Sequence, residues 1–448
     1  MDAITRRRFL TGLAALGGTC LQPRAFASRK PSEIAVTANF DRPLFPVPDD
    51  FLGLSFETRR IVLQDYLIPE NETVIELIRK LSPKGVIRIG GNTSDEPVSP
   101  EQLGRPQLER FAKFIKATGW NVIYGLNLGS GTAERAADEA ALVSELLGPE
   151  NLVFQIGNEP DLFQMRKLQP SGYGKDTFIT DWRNFSHAVK ARVPGTAFAG
   201  PDVSSDTSWM GPFVKIFGND VRFVTHHYYS EGPAGNKNVS ISRMLESSQY
   251  LTYRLRAIDD AIRSDLPLRM TEMNSVWNGG QPGISDTFAS ALWAIDAMLT
   301  LAAAGWIGVN FHTNGAVYSP IRHEADGSFQ PQPLYEGLVF FSKMARGSVC
   351  PVLIQEDPPN DFRVFAIRGS HDERRLICLN LSGGAVRRIE VALPWREATF
   401  RVLSAPGLES KTDIRFSDAA EKPLVSREKG AFKLELAPAT ATVVEFVR

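Results

Sequence analysis

Short apolar segments alternate with longer amphipathic segments over most of the chain. The longer ones, such as residues 74–81 and 108–117, repeat apolar residues at steps of three and four, which is typical of helices with one buried face. The shorter ones are rich in β-branched and aromatic residues, as buried strands are. They cover residues 51–56, 86–89, 122–126, 152–156, 197–199, 221–225, 268–271 and 307–311. Eight such strand-helix units predict an α/β fold, a (β/α)8 TIM barrel.

The hydrophobic pattern changes from residue 348 onward. Helical periodicity gives way to short alternating segments at 362–367, 376–379, 389–393, 399–403, 432–436 and 443–447. Turn residues separate these segments, which predicts a C-terminal antiparallel β-sandwich or a related open barrel. Residues 34–40 show the same alternation. We therefore expect residues 28–50 to join the β-sandwich domain of residues 346–448, with residues 51–345 forming the barrel between them.

Residues 1–27 have the features of an export signal. Three arginines at residues 6–8 precede a short apolar run, and Ala25-Phe26-Ala27 supplies a small-residue cleavage site. These features predict a twin-arginine signal peptide and a periplasmic or secreted protein. Cys20 is compatible with a lipoprotein signal, but the residues directly before it lack the usual apolar side chain.

Composition and charge limit the classes of partner that we expect the 448-residue chain to bind. It contains 43% hydrophobic and 23% charged residues, as expected of a globular protein. Without residues 1–27 its net charge is about −4, and no lysine-arginine block follows; we expect no binding to nucleic acid, which requires a basic surface. The most apolar segment, 288–304, carries Asp296 and Thr300, so no membrane span is expected. Cys350 and Cys378 fit either one disulfide or two buried thiols.

Polar residues, glycines and aromatic residues follow the predicted strands, at the face where barrel enzymes carry their functional side chains. Glu159 follows the fourth strand and Glu272 the seventh, so both would converge on the barrel mouth. Cleavage of a glycosidic bond with retention requires two carboxyl groups about 5 to 5.5 Å apart, one as acid/base and one as nucleophile. Either glutamate alone could cap a helix or pair with an arginine, but together they predict a retaining glycosidase.

The motifs that carry these glutamates resemble a known family. Gly157-Asn158-Glu159-Pro160, with a later strand-end Glu272, is similar to the clan of retaining (β/α)8-barrel glycosidases. Within that clan, three segments resemble glycoside hydrolase family 79, the β-glucuronidases and heparanases: Arg88 to Asp95, His226-His227-Tyr228-Tyr229 and Glu272 to Trp293. The resemblance covers the barrel and the β-domain. It implies that Glu159 is the acid/base, that Glu272 is the nucleophile and that Asn158 contacts the sugar 2-hydroxyl.

Two further contacts follow for the predicted substrate site. A tyrosine hydroxyl close to the nucleophile would keep it ionised and oriented, and Tyr228 or Tyr229 is placed for this contact; a packed aromatic pair is the alternative. Glu57, at the end of the first strand, matches a family position that contacts sugar hydroxyls. Its alternative is a salt bridge to Arg59 or Arg60.

The resemblance also implies residues that recognise the carboxylate of a uronic acid. Gly279 matches a backbone N–H donor of the family, and Tyr318 matches one of its tyrosines. Trp277 stands where the family has a second tyrosine. Its indole can stack on a sugar and donate one N–H, but it cannot replace the phenol.

The expected activity is therefore that of an exo-acting β-glucuronidase, a retaining hydrolase that forms a covalent glycosyl-enzyme on a β-glucuronide or a glycan containing uronic acid. An endo-acting heparanase-like enzyme and a β-glucosidase-like hydrolase, the latter favoured by Trp277, remain alternatives. A non-catalytic carbohydrate-binding protein is the alternative from another class. We expect no cofactor and no metal, because His226 and His227 are adjacent and a third ligand at suitable spacing is missing. The sequence leaves the oligomeric state open.

Overall fold

The computed structural model describes residues 33–99, 102–355, 358–371, 373–392, 397–418, 426–428 and 431–447. The predicted export signal lies outside these residues. The strands are β1 (Ile34–Ala38), β2 (Phe45–Val47), β3 (Leu52–Glu57), β4 (Val86–Gly90), β5 (Asn121–Leu126), β6 (Leu152–Ile156), β7 (Phe198–Val203), β8 (Val221–Glu231), β9 (Leu268–Val276), β10 (Gly308–His312), β11 (Ile321–His323), β12 (Phe329–Pro331), β13 (Gly347–Cys350), β14 (Val352–Ile354), β15 (Phe362–Arg368), β16 (Arg374–Asn380), β17 (Arg387–Ala392), β18 (Glu397–Ser404), β19 (Arg415–Asp418), β20 (Ser426–Glu428), β21 (Ala431–Leu436) and β22 (Thr440–Val447).

The helices mostly alternate with the strands of the barrel. They are α1 (Arg59–Leu63), α2 (Glu72–Leu81), α3 (Arg105–Thr118), α4 (Ala133–Leu147), α5 (Lys175–Arg192), α6 (Met210–Phe217), α7 (Ile241–Ile262), α8 (Phe288–Ala303) and α9 (Pro333–Met344). Helix α2 shows why they form: Val74, Ile78 and Leu81 are buried along one face, and the Asn71 side chain caps the first turn by accepting from the Val74 N–H.

The eight strands β3 to β10 close into a barrel in the order β10-β3-β4-β5-β6-β7-β8-β9, and all neighbouring pairs are parallel. The expected (β/α)8 barrel is confirmed. Apolar side chains from five neighbouring strands fill its lower interior: Val86, Ile123, Val153, Ala199 and Phe223. Because this end is packed, open space for a ligand is expected at the carboxyl ends of the strands.

Strands β8 and β9 are longer than the sequence pattern predicts. Polar residues interrupt their apolar runs after Thr225 and Thr271, yet β9 is buried along its whole length, from Leu268 to Val276. The sequence pattern predicts β8 and β9 too short because both faces of a parallel strand are buried. A polar residue that finds hydrogen-bond partners in the interior therefore does not end the strand.

Two further sheets pack face to face as the β-domain. One has the order β14-β1-β17-β21-β20 and the other β19-β18-β22-β16-β15-β13-β2. Their shared core includes Val36 and Val391 from the first sheet and Val364 and Val444 from the second. Strand pairing is antiparallel apart from β1 and β17, which run parallel. The early strands β1 and β2 thus belong to these sheets.

Helix α8 is buried on all sides, which explains its apolar sequence. It packs against the neighbouring helices α7 and α9. At its start the backbone N–H groups of Phe288 and Ala289 donate to Ser410 and Leu408 of the β-domain. Within the described part of the chain, the helices lack the combination of length and hydropathy that a membrane span requires.

The two cysteines that follow the predicted signal are both free and buried. Cys350 lies in β13 and Cys378 in β16, within the shared core of the two sheets. The structure therefore has two buried thiols rather than one disulfide. Burial raises the pKa of Cys350 to about 11 and that of Cys378 to about 12, which keeps both thiols protonated near neutral pH.

Candidate active site

Glu159 and Glu272 meet at the carboxyl end of the barrel. Glu159 follows β6 in a left-handed conformation (φ 52°), and its N–H donates to the Asp202 carbonyl at 2.9 Å. Glu272 lies within β9, and both side chains are buried. At least one carboxylate oxygen of Glu159 lies within 4.8 Å of one on Glu272. The barrel thus brings together two carboxylates from opposite parts of the sequence.

The carboxylate of Glu272 is held on both oxygens. The Tyr229 hydroxyl donates to Oε1 at 2.8 Å, and the Arg88 guanidinium donates to Oε2 at 2.8 Å. His312 Nδ1 is 3.6 Å from Oε2. Burial raises the pKa of Glu272, but the charges of His312, His227 and Arg88 outweigh it and lower the pKa. Glu272 is therefore an oriented, ionised carboxylate.

The carboxylate of Glu159 has different partners. His227 Nδ1 lies 2.9 Å from Oε1, and the Arg166 guanidinium contacts Oε2. Burial raises the pKa of Glu159, but His227 and Arg166 together lower it to about 2. Arg166 is placed by the loop after the short 3-10 helix Pro160–Leu162, and its side chain is partly exposed. Both oxygens of Glu159 thus face cationic groups.

Asp202 contacts one partner of each carboxylate: Arg88, which holds Glu272, and His227, which contacts Glu159. Its Oδ2 accepts from Arg88 Nη2 at 2.6 Å, and its Oδ1 lies 3.1 Å from His227 Nε2. Gln155 Nε2 and Thr271 Oγ1 also donate to Oδ1, at 2.6 and 2.5 Å. Burial alone would raise the pKa of Asp202, but Arg88 and His227 hold it well below its usual range. Asp202 is therefore a buried anion shared by the two arms of the site.

The charge of His227 makes folding stability depend on pH. Burial lowers its pKa, but the nearby carboxylates, Asp202 foremost, raise it to about 10, whereas an unfolded histidine titrates at about 6.5. Because the pKa of His227 is higher in the folded state, its protonated imidazole stabilises the fold fully below about pH 6.5. This stabilisation is lost as the pH rises through about 10. We expect the free energy of unfolding, measured with urea from mildly acidic to alkaline pH, to fall over this range. The fall should be smaller in His227→Gln; identical slopes would contradict the charged imidazole.

Three of the predicted sugar-contacting residues lie beside the carboxylates. Asn158 accepts from Arg88 through Oδ1 at 2.6 Å. The Tyr318 ring lies 6.1 Å from that of Tyr229, between centroids, and is buried. Glu57 accepts from the N–H and hydroxyl of Thr93 at 2.8 and 2.6 Å. Asn158 and Tyr318 thus lie next to Arg88 and Tyr229, the two residues that hold Glu272.

Several neighbours decide between the alternatives for Glu57. Its Oε1 lies 3.4 Å from His312 Nε2, and the pKa of Glu57 is lowered because His312 and Thr93 outweigh its burial. Arg60 contacts Asp65 and the Asn314 carbonyl. The guanidinium of Arg60 therefore serves other partners, and Glu57 belongs to the site through His312.

Gly279 and Trp277 lie on the loop that leaves β9. Gly279 adopts φ 91°, and its carbonyl accepts from the Tyr318 N–H at 3.4 Å. Trp277 is 48% exposed, and its indole covers Gly232, where an added β-carbon would lie 2.2 Å from Trp277 Cδ1. Gly232 (φ 140°) therefore has to be glycine for the indole to lie there. The Trp277 indole therefore packs on Gly232 and stays half exposed on this loop.

Tyr228 does not join the site, contrary to the prediction. Its hydroxyl donates to the Ser247 carbonyl of α7 at 3.2 Å, so it points out of the barrel toward the helices. Successive side chains of a strand point to opposite faces, and Tyr229 takes the inner one. His226 shares the outer face with Tyr228, and burial together with Arg254 lowers its pKa to about 3.

The structure assembles a set of ligand atoms that spacing along the sequence does not reveal. Atoms of Glu159, His227 and Glu272 lie within 4.8 Å of one another, close enough to hold a metal ion. Arg166 and Arg88 already contact the two carboxylates. Their positive charges neutralise the carboxylates and oppose a second cation between them.

The sequence pattern assigns no role to five members of the site: Arg88, Asp202, His227, His312 and Arg166. Arg88 carried the clearest signal, since it is a charged residue inside an apolar strand and such residues are rarely buried without a partner. Asp202 and His312 end their strands in the same manner as the two glutamates. Arg166 lies in a loop and carries no comparable signal.

Comparison with known proteins supports this description. No family model matches the chain. It is 25% identical over 299 residues to a β-glucuronidase of Neurospora crassa (54% of this chain, 52% of the relative) and 26% identical over 278 residues to heparanase of Bos taurus (58% and 49%). The alignments thus span about half the length of these curated relatives.

Among solved structures, a 4-O-α-L-rhamnosyl-β-D-glucuronidase from Fusarium oxysporum has a TM-score of 0.73 at 16% identity, covering 92% of this chain and 99% of that one. This likeness shows the shared fold, a barrel with a β-domain. Both curated relatives are named as enzymes, a β-glucuronidase and a heparanase, in agreement with the predicted glycoside hydrolase class. The expected resemblance to glycoside hydrolase family 79 is confirmed, and the chain is a relative of its β-glucuronidases and heparanases.

Proposed function

We propose that this chain is a retaining, exo-acting β-glucuronidase. The observation that carries the proposal is the pair Glu159 and Glu272, whose carboxylate oxygens approach within 4.8 Å across the barrel mouth. This upper bound on the distance between their nearest oxygens favours carboxylates that can act on the same anomeric carbon. An inverting enzyme needs its carboxyl groups about 6.5 to 9.5 Å apart, because a water molecule must fit as well.

The partners of each carboxylate support different roles. Tyr229 and Arg88 fix both oxygens of Glu272 and keep it ionised, as a nucleophile requires. Attack of Glu272 on the anomeric carbon forms the glycosyl-enzyme while the leaving oxygen takes a proton from Glu159. Water then attacks, Glu159 accepts its proton, and the bond to Glu272 breaks. The leaving oxygen has to replace Arg166 at Glu159, since that guanidinium occupies Oε2 in the resting site.

The preference for a uronic acid is supported by Tyr318, Gly279 and the relatives named β-glucuronidase. Tyr318 lies beside Tyr229, and Asn314 Nδ2 donates to its hydroxyl at 3.1 Å, so the phenol is oriented within the site. Trp277 favours the second candidate, a β-glucosidase-like hydrolase, because its exposed indole stacks well on a neutral sugar.

A panel of nitrophenyl β-glycosides that differ in the sugar tests the proposal. We expect kcat/KM to be at least about 100-fold higher for the glucuronide than for the glucoside, because a site built for a polar group leaves its donors unpaired when that group is missing. Proton NMR of the first product should show the β-anomer. Faster hydrolysis of the glucoside would favour the second candidate, and sugar binding without turnover of any substrate would favour a carbohydrate-binding protein.

A further inference from the structure

Glu159, the acid/base residue of the proposed reaction, is ionised in the resting site. A residue that protonates a leaving group needs a pKa near the working pH. In the resting site Glu159 faces His227 on Oε1 and Arg166 on Oε2, and these two cations stabilise its ionised form. Glu159 alone therefore cannot store the proton that the first step of the reaction requires.

His227 is the group next to Glu159 that can store it. Its ring nitrogens lie close to two different carboxylates: Nδ1 is 2.9 Å from Glu159 Oε1, and Nε2 makes a 3.1 Å ionic contact with Asp202 Oδ1 that lacks hydrogen-bond geometry. An imidazole that faces an anion on each nitrogen is stabilised as the doubly protonated cation. The ring is fully buried, so bulk water does not reach it to exchange the proton directly.

Hydrogen bonds and ionic contacts fix the position of Asp202 and stabilise its negative charge. Four donors or cations surround its carboxylate: Arg88, Gln155, Thr271 and His227. Its backbone is fixed as well, since its N–H donates to Thr225 Oγ1 at 2.9 Å and its carbonyl accepts from the Glu159 N–H at 2.9 Å. The same residue thus holds the backbone of Glu159 and the imidazole that contacts its side chain.

We propose that His227 holds the proton that Glu159 delivers to the leaving group, and that Asp202 is the positioning residue that keeps this proton on His227. In the first step the Nδ1 proton passes to the Glu159 carboxylate, which delivers that proton to the glycosidic oxygen and becomes a carboxylate again, so His227 becomes neutral. In the second step the attacking water gives its proton to Glu159, which returns one to Nδ1. One proton leaves with the aglycone and one enters from water, so the balance closes over a turnover.

The charges around His227 come from several elements. Glu159 follows β6, Asp202 lies in β7 and Glu272 in β9, and all three favour the cation. His226 is adjacent and neutral, and the arginines that contact the carboxylates weaken their effect. Loss of the Asp202 charge should therefore lower the pKa of His227, which lies at about 10 in the wild type.

The test compares Asp202→Asn with wild type on two aryl β-glucuronides, and it rests on the proposed function for the choice of sugar and for Glu159 as the acid/base. Asparagine fits the left-handed backbone (φ 61°) and the space, and it removes the charge. The dinitrophenyl leaving group departs without a proton, whereas the phenyl group needs one. We expect a loss of about 100-fold or more for the phenyl substrate, the usual contribution of acid catalysis, and of less than about 10-fold for the dinitrophenyl substrate.

The pH profile separates this role from a structural one. The basic limb of kcat/KM for the phenyl substrate should move by about one pH unit or more to lower pH in Asp202→Asn, since His227 loses its proton earlier. Thr271→Val is the matched control: it removes one hydrogen bond to the same Oδ1 but keeps the charge, so the limb should stay in place. Equal losses on both substrates, or an unmoved limb, would overturn the proposal.

Two further measurements keep the outcome decisive. If Asp202→Asn does not fold, His227→Gln should show the same selective loss on the phenyl substrate, and full phenyl activity in that variant would overturn the relay. If wild type cleaves no glucuronide, the proposed sugar is wrong. The same pair of leaving groups is then placed on the sugar that the glycoside panel identifies, so the relay is tested independently.

Discussion

Replacing Glu272 with glutamine is expected to lower kcat/KM on an aryl β-glucuronide by at least about 1,000-fold, since no other group can form the covalent intermediate. Glutamine keeps the size of the side chain and can still bond to Tyr229, so the loss reports on chemistry. Steady-state rates with purified protein measure it. The buried carboxylate itself supplies the nucleophile, and the amide has no comparable electron pair to offer.

A matched substitution separates this loss from a general effect of replacing a glutamate with its amide. Glu139 of α4 accepts from the Tyr124 hydroxyl at 2.8 Å, away from the two carboxylates. Burial raises the pKa of Glu139. Glu139→Gln should therefore keep kcat/KM within about 2-fold of wild type, because its amide replaces an acid with little change in packing. Full activity in Glu272→Gln would reject the assignment of the nucleophile.

The largest effect on stability is expected for Arg88→Met. Arg88 is fully buried, and its charge compensates both Asp202 and Glu272, at 2.6 and 2.8 Å. Methionine fills much of the space but leaves these carboxylates without their shared cation, which typically costs about 3 to 5 kcal/mol. Urea unfolding at neutral pH should show a free energy of unfolding lower by that amount.

An exposed arginine provides the control for Arg88. Arg105 pairs with Glu145 at 2.8 Å, and both side chains are about half exposed. Arg105→Met should leave the free energy of unfolding close to that of wild type, because water screens such pairs. If Arg88→Met is as stable as Arg105→Met, the carboxylates must be neutral in the folded protein. Should Arg88→Met prove insoluble, Arg88→Lys keeps one charge and should fall between the two.

The barrel and its two glutamates could be predicted because both depend on local patterns. Apolar runs mark the strands, and functional residues follow directly at their ends, so Glu159 and Glu272 can be identified without knowing any contact. The β-domain was predicted less completely: short edge strands such as β14 and β20 have three residues each, too few to show an alternation.

The interior charges could not be predicted from one sequence. Asp202 acts through Arg88, His227, Gln155 and Thr271, each from a different strand, and the register that brings them together is a property of the closed barrel. Tyr228 shows the same difficulty. Both faces of β8 are buried, so hydrophobicity does not say which of two neighbouring tyrosines faces the ligand.

The position of β1 has a consequence for the order in which the protein folds. Ile34 pairs with Ile389, and Val36 pairs with Ile354, so the first strand of the described chain waits for partners that are synthesised after the entire barrel. Contacts this distant in sequence slow folding, and a waiting strand presents unpaired backbone groups to other chains. We therefore expect the barrel to form first during synthesis. The β-domain would then close last and fasten the two ends of the described chain together.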